Sequence, residues 1–190
     1  MYRSELLPAV FVGGGVDLAA GAWRVERIQA VRGDPLPVVE RVHVHVGAGT
    51  PATAAAGAWA LRGVAGHARY VERAERVQLD AVSPPLDRPE ATRAALIPIR
   101  KSPSWWALMQ DERRAVFEER SRHIADSLPF LPRIARRLYH SRDLGEPFDF
   151  LTWFEYAPEH AGAFEELVAL LRSREEWAYV DREVDIRLAR

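Results

Sequence analysis

The chain has 190 residues, of which 48% are hydrophobic, so it is long enough and apolar enough to bury a core. Lys and Arg total 26 against 27 for Asp and Glu, so no basic excess points to a nucleic-acid backbone or an anionic membrane surface. The absence of cysteine excludes disulfides, iron–sulfur clusters and thiolate-ligated haem or zinc, and it leaves histidine, carboxylates and tyrosine as metal ligands.

The first half of the sequence is predicted to be mostly β, because short runs of β-forming residues alternate with turn formers. These runs are residues 8–12, 23–30, 38–46, 58–64 and 67–79. The three glycines at 13–15 lack the flanking residues of a nucleotide-binding loop, so they predict a turn. The Pro-rich joint at 83–89 predicts a domain boundary that divides the chain into 1–88 and 89–190.

The second half predicts the order strand, helix, strand, strand, helix, strand. The predicted elements are residues 94–101, 111–125, 133–140, 148–156, a helix from Pro158, and 177–188. This βαββαβ order is that of a ferredoxin-like α+β unit, and the first half predicts a reduced, mostly β second copy packed beside it. The N-terminus lacks a sustained apolar region with a cleavage site, and no apolar stretch is long enough to span a membrane, so we expect a cytoplasmic protein.

Arg136 breaks the pattern of its predicted strand. Side chains alternate between the two faces of a strand, so Arg136 shares a face with Ile134 and Leu138. A guanidinium keeps its charge at ordinary pH, so on an apolar face it needs an anion or a polar cavity beside it. The strand alone leaves open a structural ion pair with a nearby carboxylate.

Glu176 is a second charged residue on an apolar face, because it has the parity of Val180 and Val184 in the last predicted strand. Its neighbour Glu175 has the opposite parity and is predicted to be solvated. The alternative for Glu176 is a position before the strand proper, facing water.

His123 is the candidate metal ligand among the six histidines. It lies at the end of the first predicted helix of the second half and faces the sheet that carries Arg136, although it would also fit as a core or capping histidine. The alternation around His43 and His45 is typical of a solvated sheet face. The remaining histidines lie near turns or element ends and lack a local cluster: His67, His140 and His160.

The stretch 123–141, which reads HIADSLPFLPRIARRLYHS, resembles the haem-binding stretch of the chlorite dismutase family. The interval between its first histidine and its central arginine matches the interval between that family's proximal histidine and distal arginine. The resemblance continues through 143–145 and 148–155 and backward through 101–106, so it covers the C-terminal half of the chain.

The resemblance implies a haem b cofactor whose iron is ligated by His123, with Arg136 as the catalytic residue on the distal side. Further cofactor-binding residues follow from it: Lys101 and Trp105 near the propionates, Trp106 against the porphyrin, Arg69, Tyr70 and Val71 on a short strand, and Glu176 as the partner of His123. Arg69 stands where the family has an asparagine, and the local register leaves Glu175 as the alternative to Glu176. The short chain is similar to the compact branch of the family, which implies a homodimer.

The activity implied by the resemblance is conversion of chlorite, a small anion, into chloride and dioxygen with formation of an O–O bond. One alternative is a coprohaem decarboxylase of haem biosynthesis, which has a Tyr-Pro-x-x-Lys pattern where this chain has Ile97 to Lys101, reading IPIRK. The missing tyrosine argues against that alternative. A non-catalytic haem carrier or sensor is the other, and Arg136 on the distal side argues against it. No nucleic-acid or membrane partner is expected.

Overall fold

The computed structural model describes residues 7–66 and 69–190 and, within them, eight β-strands. The strands are β1 (Leu7–Gly14), β2 (Trp23–Arg32), β3 (Arg41–Val46), β4 (Trp59–Ala65), β5 (Arg93–Lys101), β6 (Ile134–His140), β7 (Phe150–Tyr156) and β8 (Val180–Ala189). The α-helices are α1 (Thr53–Ala56), α2 (Arg73–Val82), α3 (Pro103–Ala107), α4 (Gln110–Arg114), α5 (His123–Ser127) and α6 (Ala161–Arg172). A π-helical segment covers Ala115–Arg120, and 3-10 turns cover Arg142–Leu144, Pro158–His160 and Glu175–Tyr179.

The strands close into a barrel in the order β1-β3-β2-β8-β5-β7-β6-β4. The first four strands therefore lie in the order β4-β1-β3-β2 and the last four in the order β8-β5-β7-β6. When the four strands of each half are numbered along the chain, both halves have the spatial order 4-1-3-2. Each half therefore contributes one ferredoxin-like sheet. The predicted α+β fold with a reduced N-terminal copy is confirmed, because the first half has only a loop and the four-residue α1 where the second half has its helices.

Aromatic side chains from both halves fill the barrel. The ring of Phe11 lies 5.3 Å from that of Tyr139 and 5.6 Å from that of Trp153, and Trp23 also packs against Trp153 at 5.6 Å. The two sheets thus share one core. A domain boundary between residues 88 and 89 falls between β4 and β5 and stays a prediction about how the chain is organised.

A second apolar layer covers the outer face of the second sheet. Helix α6 buries the stripe predicted from its sequence, with Phe164 and Leu167 packed beside Ile134 and Phe154 of the sheet. The ring of Phe164 lies 5.1 Å from that of Phe154. Several side chains of this layer also line a cleft on the same face of the sheet.

The strand predicted over 67–79, which includes the short strand expected at 69–71, is wrong: residues 69–72 have no regular secondary structure, and Arg73–Val82 forms helix α2. The Glu75 carboxylate accepts the backbone N–H of Glu72 at 2.8 Å, and Arg76 pairs with Asp80 one turn later. Both contacts favour a helix over a strand. His67 and Ala68 lie outside the described residues.

The helix predicted over 111–125 is not continuous. It is divided into α4, the π-helical segment and α5, with Arg122 in the left-handed conformation at φ 53° before α5 begins. His123 therefore opens a helix rather than ending one. The strand predicted from 177 begins only at Val180, because Glu175–Tyr179 forms a 3-10 turn.

The predicted turn at 13–15 is also displaced, since Gly13 and Gly14 belong to β1. A Cβ atom on Gly13 would lie 2.2 Å from Cε2 of Trp59, so glycine is required there by close packing. No helix within the described residues is long and apolar enough to cross a membrane.

Candidate active site

A large cleft opens between the outer face of the second sheet and the helices that cover it. Its lining is mainly apolar with a few charged side chains, which is the pattern of a ligand-binding cleft. Alternate residues of the strands point into it, among them Ile97, Arg136, Leu138 and Thr152. His123 and Phe117 line it from the helical side. The cleft thus has one wall of sheet residues and one wall of helix residues.

Arg136 is a cation of the sheet wall. The predicted strand parity is confirmed, because Arg136 and Leu138 face the cleft while Tyr139 packs inside the barrel. Desolvation lowers the pKa of the Arg136 guanidinium, and the like charge of Arg76 lowers it further. No carboxylate within residues 7–66 and 69–190 forms a salt bridge with Arg136, so the structural ion pair is not observed there.

His123, Glu176 and Lys101 form a triad in the cleft, where Lys101 is contributed by the end of β5. The Nδ1 atom of His123 lies 2.7 Å from Oε2 of Glu176, and Nζ of Lys101 donates to Oε1 of the same carboxylate at 2.7 Å. Burial disfavours the charged carboxylate, but Lys101 and His123 outweigh it and lower the pKa of Glu176 to about 2. Glu176 is therefore ionised at neutral pH, and a carboxylate can only accept hydrogen bonds.

The charge on Glu176 determines which nitrogen of the neutral His123 imidazole carries the proton. Because the ionised carboxylate accepts at Nδ1, neutral His123 carries its proton on Nδ1 and keeps a lone pair on Nε2 for a metal. No cluster of three or more His, Asp or Glu side chains suitable for a metal ion occurs in the part of the chain that the structure describes. A single imidazole suits a metal that brings its other ligands with it, so the residues present fit an iron porphyrin.

The other predicted cofactor-binding residues fall into two groups. Arg69, Tyr70 and Trp105 line the cleft together with the triad. Val71 instead packs with the helix cluster of Leu79, Ile124 and Leu131, and Trp106 lies beside the cleft with its ring stacked on Phe150 at 6.1 Å. Glu175 pairs with Arg120 at 3.0 Å and is half-exposed, so Glu176 is the carboxylate that contacts His123.

Two residues near the triad were not predicted from the sequence. Trp177 lines the cleft beside Lys101, and its Nε1 donates to Glu183 at 2.8 Å. Asp149 is buried beside the end of β5. Its carboxylate accepts the backbone N–H of Lys101 at 2.7 Å and the Nε1–H of Trp106 at 3.1 Å. These contacts hold the end of β5, and with it Lys101, in place. Only the tertiary structure brings the partners together, so no local sequence signal would have revealed them.

Replacing Lys101 by Met is expected to lower the free energy of unfolding of the haem-free protein by about 3–5 kcal/mol, because it removes the permanent cation paired with the buried Glu176 carboxylate. Arg100→Met is the matched control, since Arg100 and Asp181 form a half-exposed pair that contributes less than about 1 kcal/mol. Urea denaturation of both variants measures the difference. Equal, small losses would contradict the buried triad.

The comparisons with known proteins agree with one another. The sequence model of the family described as chlorite dismutase matches residues 42–190. A curated chlorite dismutase from Ideonella dechloratans is 38% identical over 78 residues, which are 41% of this chain and 25% of that protein. The match therefore spans only a quarter of the length of that relative.

Two solved structures are similar over nearly the whole chain. The dimeric chlorite dismutase from Nitrobacter winogradskyi is 58% identical, with a TM-score of 0.86 over 96% of this chain and 99% of that one. Chlorite dismutase from Candidatus Nitrospira defluvii in complex with imidazole is 22% identical, with a TM-score of 0.69 over 100% of this chain and 93% of that one. The second likeness supports the fold alone.

Proposed function

The chain belongs to the chlorite dismutase family, and we propose that it converts chlorite into chloride and dioxygen in the cleft between the second sheet and its helices. The observation that carries this proposal is Arg136, a permanent cation that faces the cleft with no carboxylate partner among the described residues. A cation in that position is available for an anion that enters from solvent.

The proposed cofactor is haem b, held by His123 through Nε2. Glu176 would orient the imidazole and increase its electron donation, since a carboxylate on the second ring nitrogen raises the basicity of a ligating histidine. Lys101 keeps Glu176 charged, and Tyr70, Trp105 and Arg69 complete the wall that would contact the edge of the cofactor. When bound, haem supplies an iron centre able to transfer oxygen atoms.

Arg136 would have two tasks in the reaction. Its charge attracts chlorite to a mostly apolar wall, where a charge–charge contact is stronger than in water. The same charge holds any oxyanion of chlorine inside the cleft until the O–O bond has formed. Chlorite becomes chloride and dioxygen with no net gain or loss of protons, so no general acid or base is required.

A coprohaem decarboxylase is a weaker candidate for this cleft. The position at which that branch has its tyrosine is occupied by Ile97, and the Ile97 side chain lines the cleft. An aliphatic side chain cannot supply the phenol of the Tyr-Pro-x-x-Lys pattern. A haem carrier or sensor would not need an unpaired cation on the apolar sheet wall.

We also propose that the protein is a homodimer. The support is the similarity to the dimeric enzyme from Nitrobacter winogradskyi, which extends over nearly all of both chains. Sedimentation velocity is expected to give one species of twice the chain mass of 21.4 kDa. A single species of chain mass at micromolar concentration would contradict the dimer.

An oxygen electrode tests the proposed activity. Chlorite added to the haem-loaded protein is expected to release one dioxygen and one chloride for each chlorite consumed. Haem-free protein is supplied in parallel with coprohaem and peroxide, and little decarboxylation is expected. Rapid decarboxylation without oxygen release from chlorite would reverse the assignment.

A further inference from the structure

The chain that leads into His123 has an unusual backbone. Helix α4 runs into the π-helical segment Ala115–Arg120, at whose end the N–H of Ser121 reaches back to the carbonyl of Val116 at 3.2 Å. Arg122 follows in the left-handed conformation, and His123 opens α5 in a new direction. Both features cost energy and persist only where neighbouring contacts hold them.

Glu118 supplies such a contact. Its carboxylate accepts the N–H of Ile124 at 2.6 Å and the N–H of Ala125 at 3.1 Å. These amides belong to the first turn of α5, where backbone N–H groups have no partner inside the helix. Arg122 precedes the helix but its side chain has no acceptor atom, so it cannot cap the helix itself. Glu118 therefore caps α5 from the preceding segment.

The same segment also holds the imidazole ring. Phe117, the residue before Glu118, stacks on His123 with ring centroids 4.4 Å apart and planes 24° apart. On the C-terminal side, the hydroxyl of Ser127 donates to the His123 carbonyl at 2.6 Å. Together with the Glu176 contact at Nδ1, these interactions fix both the backbone and the ring of His123.

We propose that Glu118 is a positioning residue for the axial ligand: by capping α5 it sets where the backbone of His123 lies and so how its imidazole presents Nε2 to the cofactor. The inference rests on the proposed function, in which His123 ligates the haem iron. Phe117 and Glu118 are neighbours in the chain, so the ring contact on His123 and the cap on α5 come from the same stretch of the π-helical segment.

The first test uses haem-free protein and the variant Glu118→Gln. A glutamine keeps the size of the side chain but can accept only one of the two N–H groups and turns its own amide donors toward the other. Amide hydrogen exchange at Ile124 and Ala125 is expected to become roughly tenfold faster. Glu119→Gln is the matched control, because Glu119 lies on the same segment, is exposed and undergoes the same charge change. Unchanged exchange in Glu118→Gln would overturn the capping role.

The second test uses the haem-loaded protein and does not depend on turnover. Transfer of haem to excess apomyoglobin is expected to be roughly tenfold faster from Glu118→Gln than from wild type or Glu119→Gln. The iron–histidine stretching frequency of the ferrous protein, measured by resonance Raman spectroscopy, is expected to shift in Glu118→Gln alone. Glu118→Asp, which keeps the charge but shortens the side chain, provides the comparison if Glu118→Gln folds poorly.

The outcomes separate the two proposals. A lower melting temperature with an unchanged haem transfer rate and an unchanged stretching frequency would make Glu118 purely structural and overturn the inference. A wild-type protein that binds no haem would count against the proposed function. The exchange measurement at Ile124 and Ala125 would still decide whether Glu118 holds the first turn of α5.

Discussion

Replacing Arg136 by Ala is expected to lower chlorite turnover by a factor of about 10² to 10³, the usual cost of removing one group that stabilises charge in an active site. The fold should survive, because Arg136 forms no salt bridge among the described residues and its removal leaves no carboxylate unpaired. Oxygen release is measured with haem-loaded protein at matched haem content. The variant is also expected to bleach within fewer turnovers, since oxidising chlorine species are no longer retained in the cleft.

The control for Arg136 is Arg133→Ala. Arg133 lies just before the same strand, is exposed and has a side chain that donates to the carbonyl of Pro129, so turnover should stay near the wild-type value. Arg136→Lys keeps the charge but loses the planar fork of donors, and we expect an intermediate rate. A variant Arg136→Ala that turns over chlorite at the wild-type rate would remove Arg136 from the mechanism.

Replacing His123 by Ala is expected to weaken haem binding by more than about 100-fold. Removal of a residue that only supports a metal ligand weakens binding by up to about 100-fold, and His123 is the proposed ligand itself. Glu176 stays paired with Lys101 in this variant, so the buried carboxylate remains compensated and the protein should still fold. Titration of haem into the haem-free protein, followed by the Soret absorbance, measures the affinity.

His160→Ala is the matched control for the ligand, because His160 lies in a 3-10 turn outside the cleft. Its haem affinity and spectrum should equal those of wild type. If His123→Ala keeps tight haem binding and an unchanged spectrum, the ligand is another residue.

The strands and the position of Arg136 could be predicted from the sequence because both depend on local alternation. A strand exposes every second residue to the same face, so the placement of Arg136 beside Leu138 follows from their spacing once β6 is recognised. The order of strands in the second half could also be predicted from the sequence, because turn formers separate its apolar runs.

The contact between Glu176 and His123 followed from the family resemblance and not from the strand pattern. The parity argument for Glu176 is wrong in its premise, because the residue lies in a 3-10 turn before β8. Its partners are Lys101 and His123, which lie 75 and 53 residues away in the sequence. Local periodicity carries no information about partners at that distance.

Local periodicity in the sequence also does not reveal the contacts of Lys101 and Glu118. The resemblance implies that Lys101 lies near the propionates, which stays a prediction, and the structure adds that its ammonium group donates to Glu176 and lies over the ring of Trp105 at 4.6 Å. Glu118 belongs to a run of helix-forming residues that predicts one continuous helix. The break at Arg122 and the cap on α5 become visible only when the backbone conformation is known.

The most direct test of the central claim follows both oxygen atoms of one chlorite ion. An equal mixture of unlabelled chlorite and chlorite fully labelled with oxygen-18 is given to the haem-loaded protein, and the dioxygen is analysed by mass spectrometry. If the cleft retains the chlorine species until the O–O bond forms, the product is almost entirely doubly labelled or unlabelled dioxygen. A large fraction of singly labelled dioxygen, or none evolved at all, would contradict the account.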